Sequence, residues 1–73
     1  MKLVTFYIDG KRKWSRFENL EGEDQDHAQR LAIKWAQAFV KDTMIGVSVG
    51  DSMATVVHKH IMGEWTPVLV EAA

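Results

Sequence analysis

The chain reads as an α+β domain in two layers, one long helix packed on an antiparallel sheet, in the order β-β-α-β-β-β. Three observations predict it. Apolar residues recur at helical spacing in one central segment. Alternating β-branched and aromatic residues fill the segments on either side. Turn formers such as Asp9-Gly10, Gly50-Asp51-Ser52 and Met62-Gly63 punctuate those segments.

Residues 2–9 form the first expected strand, with Val4, Phe6 and Ile8 alternating against Leu3, Thr5 and Tyr7. Asp9-Gly10 supplies the positive φ of a tight hairpin, so residues 13–18 return as the second strand. A two- or four-residue loop places Phe17 on the face of Val4, Phe6 and Ile8, and Trp14 and Arg16 on the face of Thr5 and Tyr7. A three-residue loop inverts this and sends Trp14 to the core. The first parity is preferred, because it builds one face from four apolar residues and leaves Lys13 and Ser15 at its margin.

The helix is expected over about 24–41. Ala28, Leu31, Ala32, Trp35, Ala36 and Phe39 make one apolar stripe along it. Gly22 or Asp24 is the expected cap, and Glu23, Asp24 and Asp26 suit the positive end of the helix dipole. Burial of Leu31, Trp35 and Phe39 is expected to contribute about 1.5–3 kcal/mol each. Ile33 and Val40 lie off the stripe. Strands then follow over residues 44–49, 53–61 and 65–70, and Pro67 assigns the last of these to a sheet edge. One helix cannot cover five strands, so part of the sheet is left open.

The 73 residues suffice for a single domain, 1–73. Folding at this size buries only about 60–65% of the unfolded chain's surface, so the core is thin. There is no cysteine to cross-link it or to bind metal as thiolate. The net charge of −1 argues against a general polyanion binder, which carries a clear basic excess. The apolar run from Leu3 to Ile8 is too short to span a bilayer and lacks the cleavage region of a secretory signal, so the cytoplasm is the expected location.

Gly46-Val47-Ser48-Val49-Gly50 matches the G-x-S-x-G nucleophile pattern, but that serine needs a sharp strand-to-helix turn. Ser48 instead lies within an alternating strand that leads to another strand. His58 and His60 share one strand face, and His27 is the remaining histidine. A catalytic zinc needs three protein ligands, so two histidines alone assign neither a metal nor a catalytic residue. No cofactor is implied, and the chain is read as non-enzymatic. Trp65, after the Met62-Gly63 turn, is expected to close the sheet against the helix.

The leading candidate site is the N-terminal hairpin, with Tyr7, Lys11, Arg12, Lys13, Trp14 and Arg16. Trp, Tyr and Arg dominate protein-binding hot spots, which favours a protein partner. Cations beside stackable rings also suit nucleic acid, which is the alternative reading. Glu18, Glu21, Glu23, Asp24 and Asp26 follow directly and offset the basic cluster, which fits a mixed-charge protein interface better than a phosphate track. Pairing of two copies through an edge strand or the open sheet is a further expectation, compatible with either.

The helix carrying Ala28-Gln29-Arg30-Leu31-Ala32, then Val47-Ser48-Val49, a turn, a strand ending at Gly63 and Trp65 close behind, resembles many small α+β proteins encoded by phages and mobile elements. Some inhibitors of type I CRISPR surveillance complexes have a similar length and arrangement. The resemblance covers about residues 24–70 and is one of layout. It implies a non-enzymatic inhibitor that binds a large host protein or nucleoprotein complex, and it carries over no functional residue.

Overall fold

The computed structural model describes residues 1–70. Its elements run β1 (Lys2–Ile8), β2 (Lys11–Glu18), α1 (Asp24–Ala36), β3 (Ile45–Val49), β4 (Ser52–Ile61) and β5 (Glu64–Val70). The expected order and fold class hold. The strands form one antiparallel sheet in the order β2-β1-β3-β4-β5, which puts β5, with its Pro67, at an edge. The helix lies over β3, β4 and the margin of β5.

The core forms between helix and sheet because small residues let the two layers approach. Ala28, Ala32 and Ala36 repeat every fourth residue and are completely buried. Val4, Phe6, Ile45, Val47, Val49, Ala54 and Val56 face them from the sheet. The expected deep burial of Leu31, Trp35 and Phe39 is corrected. These residues are half-buried on the shoulders of the alanine stripe, so each contributes less than a fully buried side chain. Ile33, off the stripe, also packs on the core, while Val40 is exposed.

The helix is also shorter than its stripe. It stops at Ala36, and two tight turn bonds follow, from Ala38 N–H to the Trp35 carbonyl and from Phe39 N–H to the Ala36 carbonyl. These three-residue steps keep Phe39 on the same side as Trp35, so the apolar spacing outlasts the helix. At the other end the N-cap is Glu23, without a side-chain capping bond, rather than Gly22 or Asp24. Asp24 instead pairs with Lys2 at 2.5 Å, and Lys2 also donates to the Gly22 carbonyl, which ties the helix start to β1.

The hairpin between β1 and β2 corrects the expected register. Its turn is the two-residue Asp9-Gly10, with φ of 50° and 81° and Ile8 opposite Lys11. A bulge then intervenes: Tyr7 pairs with Arg12 but Phe6 pairs with Trp14, so Lys13 is an extra residue. That insertion inverts the rest of β2. Trp14 and Arg16 now share the helix-side face of Val4 and Phe6, whereas Phe17 opposes Leu3 on the far side and is 64% exposed. The turn is the shorter of the two loops that gave the preferred parity, but that parity did not survive the bulge.

Candidate functional site

The bulge divides the six expected partner-binding residues. Tyr7 and Arg12 remain on the open sheet face, Trp14 and Arg16 are on the helix side, and Lys11, Arg12 and Lys13 are exposed around the hairpin tip. A single surface combining Tyr7, Trp14 and Arg16 is therefore excluded by the sheet itself, which lies between them.

On the helix side Trp14 joins an aromatic cluster. Phe6 is its floor, with ring centroids 5.5 Å from Trp14, 5.4 Å from Trp35 and 6.0 Å from Phe39. Trp14 and Trp35 meet edge-on at 5.2 Å. The Arg16 guanidinium sits 4.2 Å from the centre of the Trp14 ring, and its Nε donates to Glu18 at 2.5 Å. The cluster borders an open cleft of about 300 Å³ that Lys34 and Ala38 also line.

Among the described residues the opposite face of the sheet carries no helix, and the register fixes what stands on it. One row runs Arg12, Tyr7, Gly46, Thr55, Val70; the next runs Ser15, Thr5, Ser48, Met53. Thr5 and Ser15 share a hydrogen bond of 2.9 Å. Tyr7 and Met53 lean over Gly46, where an added Cβ would lie 3.2 Å from the Tyr7 Cβ and 3.1 Å from the Met53 methyl. Glycine here thus permits the close packing over the sheet that a larger residue would block. On this face Leu3, Phe17, Met53 and Val70 are all more than two-fifths exposed, as is Ile61 at the far end of β4, beyond the Lys59–Thr66 pair. Val57 and Val68 fill the half-buried positions between them.

Comparison with protein-family models, with curated proteins and with solved structures finds no match.

The remaining candidates resolve individually. Ser48 is half-buried within β3, away from any strand-to-helix turn. His58 and His60 share the helix-side face of β4, where His60 packs on Trp65 at 5.3 Å. Trp65 occupies that side as expected, but it lies on the β4–β5 ribbon, is 49% exposed and is covered by Lys41 at 5.1 Å. His58 Nδ1 is buried without a hydrogen-bond partner, opposite Pro67, which has no N–H to offer. His27 is elsewhere, bonding the Glu21 carbonyl at 2.6 Å and accepting from Arg30 at 3.4 Å. Among the described residues no three histidines or carboxylates are grouped to hold a metal ion, and no helix is long and apolar enough to cross a membrane.

Proposed function

We propose that this chain is a small non-catalytic protein-binding module, and that its contact surface is the open face of the sheet. The observation that carries this reading is the exposed apolar set of Leu3, Phe17, Met53 and Val70, which shares one sheet face with Tyr7. Small domains rarely leave contiguous apolar area in water without a use for it. Tyr7 and Arg12 adjoin the set and are residue types enriched at hot spots. The layout resemblance supports a finer form: an accessory protein of a phage or mobile element that attaches to a host protein or nucleoprotein complex and inhibits it.

Relocation of Trp14 weakens the nucleic-acid alternative, because that ring packs against Trp35 and Phe6 rather than standing beside the cations of the hairpin tip. Lys11, Arg12 and Lys13 remain exposed and are its residual support. The two readings separate in a capture experiment from native lysate, run with and without nuclease, using the wild-type chain and the double variant F17D/M53D. Both positions are at least half exposed, so the variant is expected to fold. A protein retained after nuclease treatment by the wild type and lost by the variant supports the reading. Retention by both, or capture that nuclease abolishes, refutes it.

A further inference from the structure

A second surface, on the other side of the sheet, has a different chemistry. The cleft beside Trp14 exists because two elements stop short of each other. The helix ends at Ala36, Ala38 presents only a methyl group, and the bulge at Lys13 turns Trp14 and Arg16 toward the gap. Its walls are Phe6, Trp14, Trp35 and Phe39, with Arg16 and Lys34 as the charged members. A volume of about 300 Å³ matches a one- or two-ring molecule.

The charges select among aromatic ligands. Four rings alone would suit a quaternary ammonium group. Here, however, two cations border the same space, and either would repel a cationic guest. Arg16 and Lys34 bring two positive charges and Glu18, bonded to Arg16, returns one negative, which leaves a balance suited to a monoanion. Lys34 makes no ion pair among the described residues. The negative end of the helix dipole is also close by, but the Ile33, Trp35 and Ala36 carbonyls already accept hydrogen bonds from the following turn. A planar carboxylate fits the flat edge of a guanidinium stacked on a ring.

We propose that this cleft binds a free small-molecule aromatic carboxylate, its ring against Trp14, Trp35 and Phe39 and its carboxylate beside Arg16 and Lys34. The site is independent of the sheet face assigned to protein binding.

The test is a titration of the isotope-labelled full chain with 2-naphthoate, read at the three indole N–H signals. Trp65 is the internal control, because it too lies under a cation, Lys41, but on the distant β4–β5 ribbon. Saturable shifts of Trp14 and Trp35, without Trp65, are expected at a dissociation constant of about 1 mM or tighter, given the ligand's size. The double variant R16Q/K34Q should bind at least about fivefold more weakly, as befits exposed charge-assisted contacts. A38F, at an exposed turn position, should fill the cleft and abolish the shifts, whereas E18Q should strengthen binding by releasing Arg16. Equal binding of 2-(aminomethyl)naphthalene would overturn the proposal, as would a Trp65 shift on the same curve or unchanged affinity in R16Q/K34Q. Tighter binding of a peptide ending in phenylalanine would overturn the small-molecule assignment.

Discussion

Replacement of Trp14 and of Phe17 by alanine should give opposite results from those a regular two-residue hairpin would give. Removing a fully buried large aromatic costs about 3–5 kcal/mol, and a half-buried one about half of that. Trp14 also holds ring contacts, edge-on with Trp35 at 5.2 Å and tilted with Phe6 at 5.5 Å, each of the kind worth about 0.5–1.5 kcal/mol, partly counted already in the burial. W14A should therefore lose about 2–3 kcal/mol. Phe17 keeps 64% of its surface in water, so F17A forfeits only the remaining third, about 0.5–1 kcal/mol. A domain of 73 residues holds about 4–11 kcal/mol in all, so both variants should stay measurably folded. Urea denaturation followed by far-ultraviolet circular dichroism reads the difference without depending on tryptophan emission. W14F, which retains part of the ring contact, should fall between wild type and W14A. Equal losses, or a larger loss for F17A, would refute the bulged register and restore Phe17 to the core.

Two further substitutions test the layers and their connection. A32L inserts a branched side chain where the helix touches the sheet with no exposed surface, and should cost about 1–3 kcal/mol in the same denaturation assay. A loss below about 0.5 kcal/mol would mean that the helix stands farther off the sheet. Gly50 adopts φ of 56° at the β3–β4 turn, and an added Cβ there would press on the Asp24 carboxylate. G50A should lose about 1 kcal/mol from backbone strain alone, plus whatever the displaced Lys2–Asp24 pair contributes. The loss should shrink in D24A, where the clash is absent, and an identical loss in both backgrounds would deny the contact.

The sequence carried most of the architecture and less of the surface. The order of elements was legible because Asp9-Gly10, Gly50-Asp51 and Met62-Gly63 can adopt turn conformations that break the strands, and because Ala28, Ala32 and Ala36 keep strict helical spacing. The helix end was not, since the tight turns after Ala36 carry Phe39 into the place a further helical turn would have put it. Nor does an extra strand residue leave a mark in composition: Lys13 looks the same whether paired or bulged. Trp14 and Phe17, three apart, cannot share a face of a regular strand, and choosing between them decided the candidate site. Trp35 and Phe39 gave no signal either, because Phe6 already offers them an aromatic partner from the sheet, and Trp14 joins as a second one. Once Trp14 is so placed, alternation along β2 and across the sheet sends Phe17, Leu3 and Met53 to the open side.

The use of that open side as a protein interface is tested most directly by methyl nuclear magnetic resonance of the chain bound to its captured partner. The Met53 methyl, seated above Gly46, should shift strongly together with those of Leu3 and Val70, while the methyls of Leu31, packed against the core from the helix, serve as the reference. Perturbation centred on Met53, Leu3 and Val70 is the predicted result. An unmoved Met53 methyl, with shifts confined to the backbone amides of Lys11, Arg12 and Lys13 at the hairpin tip in a companion amide spectrum, would contradict the account.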